Sequence, residues 1–509
     1  MSDHFVCDIQ DFDTGSDILF TYHGILSGGA FPLMQADFMS KDSTEKILSS
    51  ILKSHENIKT SAKVRLILAM AFPAMCAQVS QIMMHYIDAS MVGALGPKES
   101  AAIGLVSSSI WLVGGICLAA SAGFTVQVAQ SIGAGRFVKA RATAGLGFFC
   151  LLTLSLMLGV LCAAFSDRVP YLLGGTPDIA PMASSYFLVF MVTFPFVVLN
   201  MYTAGLLQAD GNIKTPSILN ICVCVLDVIF NYLFIFHTRH IEFAGFSVTI
   251  PGFGLGVTGA AVGTALAEAV VSAVMLWCLL IRNEHLHLRR EKLRLSLMAF
   301  LRAVRISLPI GLDHLATTGA MVASVAIVSV LGTTAIAAHS FAITAESFCY
   351  MIGYGTAHAG TAVIGQCVGA GRNDLARNFT LIITSVGVFF MSVAGVIMYI
   401  TAPLLIGLLS PDPEIRELGT VILRIEAFAE PLYGASILIA GCVRGAGDTF
   451  VPGLLNSGSM WLIRIPLSVA LAGTLGLQGV WVAMALELSV RGVLFIMRLR
   501  SGKWLKCRQ

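Results

Sequence analysis

Charge is scarce in this chain. Only 12% of its 509 residues are Asp, Glu, Lys or Arg, whereas 56% are hydrophobic and the mean hydropathy is +0.82. A soluble globular protein carries about 25% charged residues, so this composition excludes an ordinary soluble domain. Apolar runs reach the roughly 20 residues that a membrane-spanning helix requires. The alternating ten-residue segments of a transmembrane β-barrel are missing. We therefore predict an α-helical protein that crosses the membrane many times.

Paired cysteine spacing is also missing. The twelve cysteines stand singly along apolar stretches, apart from Cys222 and Cys224. This pattern excludes a zinc or redox site built from closely paired cysteines. We interpret these residues as small buried hydrophobic side chains. Nothing in the pattern predicts a cofactor, a bound metal or a nucleic-acid partner.

The first 62 residues differ in kind from the rest. They are polar, and five aspartates precede Ile18. They lack the basic start and continuous apolar core of a secretory signal. We predict a partly disordered cytoplasmic extension over residues 1–62. The alternative is an over-long reading of the gene, with the natural start near Met39.

One motif occurs twice. QSIGAGR covers Gln130–Arg136, QCVGAGR covers Gln366–Arg372, and the offset between them is 236 residues. The same offset joins Pro73 to Pro309, Gly96 to Gly332, Pro195 to Pro431, Gly211 to Gly447 and Asn220 to Asn456. A constant offset over such a length indicates a tandem duplication. The motif lacks the lysine and preceding strand of a phosphate loop, and glycines that close a helix before a basic turn explain it better.

The apolar runs predict twelve spans, six in each repeat. Their predicted ranges are 64–94, 100–130, 141–165, 181–208, 215–236, 256–281, 302–331, 335–366, 378–409, 417–443, 451–473 and 476–497. Prolines fall inside several of them, which a helix bundle tolerates where neighbours satisfy the freed carbonyl groups. The predicted domains are an N-terminal lobe over 63–283, a basic cytoplasmic linker over 284–300, a C-terminal lobe over 301–498 and a basic cytoplasmic tail over 499–509.

Basic residues collect on one side of this map. The connections after even-numbered spans, the central linker and the tail are rich in Lys and Arg, whereas the opposite connections contain few. The positive-inside rule then places both termini and the linker in the cytoplasm. Six spans per repeat give both repeats the same orientation, so we predict two parallel six-helix lobes around a central cavity. The external segment His237–Phe253 is the one clear asymmetry, since its echo in the second repeat is shorter.

Charged residues inside spans are informative because each costs about 2.5–3.5 kcal/mol at the bilayer centre on insertion scales. Asp88 of span 1 shares a helix face with Gln81 and Met84. We favour a titratable group in a cavity between helices, although a carboxylate at a wet helix end explains Asp88 too. Asp227 and Asn231 lie one turn apart in span 5, where they form either a proton or cation site or a structural clamp between helices.

The second repeat offers further polar candidates. Asp313, Glu346, Glu426, Glu430 and Glu487 are acidic residues within its spans. Arg424, Arg444, Arg464 and Arg491 are basic residues that could neutralise them. His314, His339 and His358 could carry protons near neutral pH. Each of these groups taken alone is also explained as a satisfied structural polar residue.

Several longer motifs resemble one family, the multidrug and toxic compound extrusion (MATE) transporters. The resemblance covers about Val64 to Arg498. It is carried by IDASMVGALG, QSIGAGR, QADGNIKTP, SLPIGLDHL, LGTTAIAAHSFAITAESFCYMIGYG, GQCVGAGR, VRGAGDTFVP and WLIRIPL. These motifs occur in one order and at the repeat offset, so chance does not explain them together.

The resemblance implies a secondary active antiporter in the cell membrane that exports organic, often cationic, compounds in exchange for H⁺ or Na⁺. Asp88 falls where the family often has an essential aspartate, and Asp227 and Asn231 fall where bacterial members often have the same two residue types in the opposite order. Some sodium-coupled members place a glutamate where Thr317 stands here. The expected ion-coupling and substrate cavity contains Asp88, Asp227, Asn231, Gln81, Met84, Asn200, Asp313 and Glu346, with Asp88, Asp227 and Asn231 as a possible Na⁺ site. We expect a monomer surrounded by membrane lipids.

Three other functions remain open on the sequence alone. A flippase for lipid-linked precursors would share the two-lobe plan, but it would need a basic cavity for a polyphosphate. A membrane-embedded enzyme would need clustered metal-binding or nucleophilic residues at a membrane face. A channel is the third, and a duplicated kinked bundle with internal acids fits alternating access better.

Overall fold

The computed structural model describes residues 44–53, 59–243, 246–283, 285–287 and 296–505. The predicted acidic start of the N-terminal extension, the alternative start at Met39, much of the basic linker and the last four residues of the tail lie outside the described residues. Within the extension, an N-terminal helix covers Thr44–Lys53. Its Leu48 and Ile51 are buried, and Thr44 Oγ1 donates a hydrogen bond of 2.9 Å to the Gly211 carbonyl. This part of the extension is therefore packed against the helical core.

Helices long and apolar enough to cross a membrane make up most of the described chain. The first nine spans are Thr60–Gly93, Pro97–Gly133, Phe137–Ala164, Ala180–Ala209, Lys214–Ile235, Gly256–Arg282, Leu297–Ser329, Thr333–Gly369 and Asn373–Leu409. Span 10 is broken into Pro413–Ala427 and Glu430–Gly445, which meet at 57°. The helix Phe450–Arg500 is divided at Gly476, whose φ of 59° and ψ of −139° are not helical. Spans 11 and 12 are the two parts, 450–475 and 477–500. The prediction of twelve spans in two six-helix repeats is confirmed.

Proline positions show how the bundle accommodates helix breakers. Pro73, Pro195 and Pro309 lie inside continuous helices, as predicted. Pro431 instead lies in the first turn of Glu430–Gly445, just after the break in span 10. The backbone N–H groups in the first turn of a helix have no hydrogen-bond partner within the helix. Proline, which has no N–H, is therefore accepted there. The duplicated proline is thus used for a helix break in the second repeat and for a continuous helix in the first.

A β-hairpin marks one end of the bundle. Strand β1 covers His237–Phe243 and strand β2 covers Phe246–Phe253, and they pair antiparallel with Phe243 opposite Phe246. The Phe234 and Phe253 rings stack at 5.1 Å, which fixes the hairpin to span 5. The sequence predicted this segment only as a long connection. We call this side of the bundle the hairpin end.

The opposite side is the basic end. It contains the turns 134–136, 210–213, 370–372 and 446–449, together with the connection between spans 6 and 7. Arg136, Lys214, Arg372 and Arg444 lie in or beside these turns. At the hairpin end, Lys98 is neutralised by Asp178 at 2.9 Å. The structure therefore concentrates the basic residues of the connections at one end, which is the distribution that the span map predicts.

The two lobes meet through spans 1 and 2 of the first repeat and spans 7 and 8 of the second, as expected from parallel repeats. Two equivalent hydrogen bonds cross this boundary near the basic end. Gln130 Nε2 donates to the Gly445 carbonyl at 3.3 Å, and Gln366 Nε2 donates to the Ala209 carbonyl at 2.7 Å. Both the donors and the acceptors are related by the offset of 236 residues. The duplicated motif thus forms one symmetric contact between the lobes.

Glycine makes this contact possible. A Cβ on Gly133 would collide with the backbone of Gln366, and a Cβ on Gly369 would collide with the backbone of Gln130. Gly135 and Gly371 have φ angles of 69° and 74° and close their helices, as the motif predicts. The motif therefore has two functions, ending span 2 or span 8 and bringing the two lobes into direct backbone contact. We call Gln130, Gly133, Gln366 and Gly369 the interlobe latch.

Enlarging the latch should separate the lobes at the basic end. We expect Gly133→Leu to lengthen the distance between spin labels at positions 136 and 372, because the new side chain has no space beside Gln366. The measurement is double electron–electron resonance on a background without native cysteines. Gly104→Leu is the matched control, since Gly104 lies in the same helix and has open space around it. An unchanged distance distribution in Gly133→Leu would show that the latch does not hold the lobes together.

Candidate functional site

Spans 1 and 5 bring two carboxylates to one amide. Asn231 Nδ2 donates hydrogen bonds to Asp88 Oδ1 at 2.8 Å and to Asp227 Oδ2 at 3.0 Å. Asp227 and Asn231 are fully buried, one helical turn apart, and Asp88 is partly buried. The Asp88 and Asp227 carboxylates also interact directly. The structure therefore brings together the three residues that the sequence proposed for a proton or cation site.

Span 6 makes room for this arrangement. A Cβ on Gly263 would collide with Asn231 Oδ1, so the glycine allows the amide to lie against the neighbouring helix. The same amide oxygen accepts no hydrogen bond within the described part of the chain. Buried polar atoms are almost always paired, and an unpaired one costs about 1–3 kcal/mol. Asn231 thus keeps both donors on carboxylates and leaves one oxygen available.

A second carboxylate–amide pair extends the cluster. Asn200 Nδ2 of span 4 donates to Glu268 Oε2 of span 6 at 2.8 Å, and Glu268 lies close enough to Asp227 for their charges to interact. Asn200 was predicted as a cavity residue, whereas Glu268 was missed. The missed signal was simple, because Glu268 is the one charged residue in the predicted span 256–281. We call Asp88, Asn200, Asp227, Asn231 and Glu268 the N-lobe cluster.

The surroundings of the N-lobe cluster contain little positive charge. His85 of span 1 interacts electrostatically with Asp227, and the Tyr186 hydroxyl of span 4 lies near both aspartates. None of the ion pairs formed by the described Lys and Arg residues includes a member of the cluster. Three carboxylates from three spans are therefore held by amides rather than by fixed cations.

The other two predicted residues of span 1 lie nearby but differ in environment. Gln81 is exposed, and the His85 ring, one turn later, approaches the Trp111 ring at 6.0 Å. Met84 is buried in the hydrophobic core of the N-terminal lobe. Asp88 thus stands at the edge between the packed lobe and the more open face of span 1.

Asp313 has a different kind of environment. Its Oδ2 accepts hydrogen bonds from Arg444 Nη2 at 2.9 Å and from Asn456 Nδ2 at 3.1 Å. Its Oδ1 accepts from Ser457 Oγ at 3.1 Å. These bonds join spans 7, 10 and 11. The carboxylate is neutralised and fully coordinated by the protein, as the neighbouring-arginine alternative proposed.

Glu346 belongs to a second buried group in the C-terminal lobe. Arg464 Nη2 and Arg491 Nη2 both bind Glu487 Oε2, at 2.8 and 2.7 Å. Glu346 of span 8 interacts with the charges of both arginines, and so does Glu426. Glu426 and Glu430 flank the break in span 10, and their carboxylate oxygens accept no hydrogen bond from the described residues. We call Glu346, Glu426, Glu430 and Glu487 with these two arginines the C-lobe cluster.

The histidines raised by the sequence lie in separate places. His339 Nδ1 accepts a hydrogen bond of 3.1 Å from Trp481 Nε1. The His314 ring fills the space beside Gly115 on the opposite lobe. His358 is an exposed residue of span 8. Within the described ranges, no group of three or more His, Cys, Asp or Glu side chains has the arrangement of a metal site.

Comparisons with known proteins agree with this architecture. The MatE family model matches residues 73–233 and 309–470, two segments that begin 236 residues apart, as the internal repeat does. The probable multidrug resistance protein NorM of Thermotoga maritima is 25% identical over 447 residues, which cover 86% of this chain and 93% of the relative. The protein of the same description from Xanthomonas campestris pv. campestris is 28% identical over 446 residues, which cover 87% and 94%.

Solved structures share the fold. A crystal structure of MATE in complex with MaL6 superposes with a TM-score of 0.81 at 18% identity, covering 91% of this chain and all of the other. The Vibrio cholerae MATE transporter VcmN in its bent form superposes with a TM-score of 0.78 at 19% identity, covering 88% and 98%. At these identities the likeness establishes the arrangement of the helices.

The C-lobe cluster generates a stability prediction. Glu487→Gln should lower the free energy of unfolding by about 3–5 kcal/mol, because two buried arginines lose their common carboxylate. The measurement is thermal unfolding of the purified protein in detergent. Asp178→Asn is the control, since Lys98 and Asp178 form a pair whose side chains are 63% and 68% exposed, and such pairs contribute about 0–1 kcal/mol. If Glu487→Gln were as stable as the wild type, the charges of Arg464 and Arg491 would have to be neutralised by groups other than Glu487.

Proposed function

The chain belongs to the MatE family, and on that premise we propose that it is a secondary active antiporter that exports organic, cationic compounds in exchange for H⁺ or Na⁺. The observation that carries this proposal is the N-lobe cluster, in which one buried amide bridges carboxylates from spans 1 and 5. The description of the relatives as multidrug resistance proteins supports the substrate class.

The proposed orientation follows from the basic end. Cytoplasmic connections of membrane proteins carry an excess of Lys and Arg, so we place the basic end and both chain termini in the cytoplasm. The β-hairpin then lies on the external side. The interlobe latch closes the lobes against each other on the cytoplasmic side of the bundle.

The N-lobe cluster can exchange one cation for another. Two carboxylates in contact within a low-dielectric lobe repel each other unless a proton or another cation lies between them. Asn231 donates to both carboxylates, so it holds them together in either state. A cationic substrate that approaches Asp88 competes with the bound ion for the same negative charge. Binding of either one therefore favours release of the other, and this coupling is reciprocal.

Both candidate ions fit the donor set. A proton needs only the two carboxylates that face each other. A sodium ion prefers oxygen ligands, and Asp88, Asp227 and the unpaired Asn231 Oδ1 offer carboxylate and amide oxygens. Thr317, at the place where some sodium-coupled family members have a glutamate, lies in span 7 of the other lobe. We therefore assign coupling to the N-lobe cluster for either ion.

The C-lobe cluster has a different proposed role. Its arginines neutralise Glu487, and Arg444 neutralises Asp313, so these two acids of the second repeat are held in fixed ion pairs. Glu426 and Glu430 sit at the break in span 10, where two half-helices meet at 57°. We propose that this cluster stabilises the broken geometry of span 10. Glu346 supports it from span 8, beside the boundary between the two lobes.

The charge of the N-lobe cluster separates this proposal from the flippase alternative. A cavity for a lipid-linked polyphosphate requires several positive charges. Asp88, Asp227 and Glu268 are carboxylates, so they supply negative charge instead. The side chain of His85 interacts with Asp227. The cluster therefore favours a cationic substrate.

The orientation can be tested by cysteine labelling in intact cells. On a background without native cysteines, Thr238→Cys at the exposed start of the hairpin should react with a membrane-impermeant maleimide. Ser501→Cys, after span 12, should react only once the cells are permeabilised. Labelling of Ser501→Cys in intact cells would contradict the placement of the basic end in the cytoplasm.

The coupling role of Asp88 can be tested by transport. Asp88→Asn should fold and insert, since Asn231 can still bond to an amide, but it should lose efflux of a cationic dye down to the background of empty vesicles. The assay uses inverted vesicles in which the proton and sodium gradients are imposed separately. Asp227→Asn should have a milder effect, because Asn231 and Asp88 remain in contact.

Asp178→Asn is the matched control, because it removes an exposed carboxylate at the hairpin end. It should transport as the wild type does. Wild-type efflux by Asp88→Asn under both gradients would contradict the proposed site and move attention to Asp313 and Glu346. A loss of expression in Asp88→Asn, with normal expression of the control, would favour a structural role for the carboxylate.

A further inference from the structure

A basic groove opens between the two lobes at the basic end. It has a volume of about 800 Å³ and lies between the first two turns of span 3 and the start of span 7. Arg136, Lys139 and Arg141 form one wall, and Ala299 of span 7 and His285 form another. Leu146 contributes apolar surface farther along span 3. The groove is remote from the N-lobe cluster, since Asp88 and the hairpin lie toward the other end of the helices.

The basic groove carries positive charge from both lobes. Arg302 of span 7 and Arg136 both repel Lys139. None of the ion pairs among the described residues includes Arg136, Lys139 or Arg302. Other basic residues of the chain do have acidic partners, such as Arg372 with Asp374 at 2.8 Å. Arg136 and Lys139 line the basic groove, and Arg302 of the other lobe lies close enough for its charge to act on Lys139.

The carboxylate that contacts His285 of the groove wall is already occupied. Asp210 is buried and accepts hydrogen bonds from Asn283 Nδ2 at 2.7 Å and His285 Nδ1 at 2.9 Å. The His285 ring in turn stacks on Phe137 at 4.6 Å. These contacts build a fixed wall for the basic groove.

The second repeat does not reproduce the positive charge of the basic groove, so this charge does not follow from the duplication. The positions equivalent to Val138 and Lys139 are Asp374 and Leu375. There, the acid neutralises the repeated arginine, Arg372. In the first repeat, the acid is replaced by an exposed valine and the leucine by a lysine. The positive charge at the start of span 3 therefore has no full counterpart at the start of span 9.

Apolar surface flanks the cations. Val138 at the start of span 3 is 53% exposed, and Leu297 and Met298 at the start of span 7 are 72% and 75% exposed. A ligand for this place needs a negatively charged group for the three cations and an apolar part for the flanking side chains. A soluble anion satisfies only the first requirement, whereas an anionic phospholipid satisfies both.

We propose that the basic groove binds the phosphate-bearing headgroup of an anionic phospholipid, whose acyl chains lie against the exposed starts of spans 3 and 7. Basic pockets between membrane helices on the cytoplasmic side are known to bind anionic headgroups. The leaflet concerned follows from the orientation proposed above, but the binding itself does not depend on it. Because Arg136 and Lys139 belong to one lobe and Arg302 to the other, the bound phosphate removes repulsion across the lobe boundary. The lipid therefore favours the state in which the interlobe latch is closed.

The test compares purified protein in nanodiscs of phosphatidylcholine with and without phosphatidylglycerol. For the wild type, phosphatidylglycerol should raise the midpoint of thermal unfolding, and native mass spectrometry should detect retained phosphatidylglycerol. Lys139→Gln/Arg302→Gln should lose at least roughly half of that rise, because two of the three cations are removed. Lys139→Gln alone is a milder variant for use if the double variant folds poorly. Lys139→Arg keeps the positive charge and should therefore keep the rise in the unfolding midpoint.

Arg372→Gln/Arg377→Gln is the matched control. It removes the same number of charges from the same end, but from the equivalent place in the second repeat, and it should keep the full effect of phosphatidylglycerol. An undiminished rise in both Lys139→Gln/Arg302→Gln and Lys139→Gln would overturn the proposal. Inorganic phosphate added to phosphatidylcholine nanodiscs should not reproduce the rise, and an equal rise with phosphate would overturn the lipid as the source. Neither readout involves transport, so the result stands apart from the proposed export activity.

Discussion

The cost of placing charge in a membrane-spanning lobe is the constraint on which this structure depends. Each buried carboxylate needs an opposite charge, a proton or a set of hydrogen-bond donors. The two repeats meet this need in different ways. In the C-terminal lobe, Asp313 and Glu487 are neutralised by arginines. In the N-terminal lobe, Asp88, Asp227 and Glu268 are held by asparagine side chains, which supply donors but no charge. The carboxylates of the first repeat are thus the ones for which we propose exchange, whereas Asp313 and Glu487 of the second repeat are held in fixed ion pairs.

A duplicated chain has thus acquired an asymmetric function on a symmetric scaffold. The latch keeps the symmetry, since Gln130 and Gln366 make equivalent bonds and Gly133 and Gly369 make equivalent backbone contacts. The clusters depart from it, because the residues at equivalent positions are chemically different. A rigid, symmetric contact at one end and an exchangeable charge in one lobe are compatible with a rocking motion of the two lobes. Under the proposed mechanism, the ion state of the N-lobe cluster and the closure of the latch would be coupled through spans 1 and 2.

The basic groove adds a third element at the boundary between the lobes. It lies beside the latch and carries positive charge from both lobes, so any anion bound there acts on the same contact. The membrane itself then becomes a participant in the equilibrium between lobe arrangements. In the proposed mechanism, substrate and coupling ion compete at the N-lobe cluster, whereas the lipid acts at the basic groove on the same rearrangement.

The sequence by itself determined the parts of this protein that depend on local patterns. Apolar run length gave the twelve spans, a constant offset gave the duplication, and the position of Lys and Arg gave the two unlike ends of the bundle. The one-turn spacing of Asp227 and Asn231 gave their common helix face. Each of these features is encoded within a few tens of residues, or in a comparison of the chain with itself, and therefore needs no knowledge of the fold.

Only the tertiary structure decided which polar residues meet. Asp88 and Asn231 are 143 positions apart in the chain, and Asp313 and Arg444 are 131 apart, so no spacing rule connects them. The sequence favoured Asp88 and kept Asp313 as a further candidate, and helix packing placed the first beside an amide and the second beside an arginine. Glu268 was overlooked, and the GAGR glycines were interpreted only as closing helices, whereas packing shows that Gly133 and Gly369 also contact the opposite lobe. The physical reason is that a carboxylate's environment is set by the helices around it, and which helices those are depends on the packing of the whole bundle.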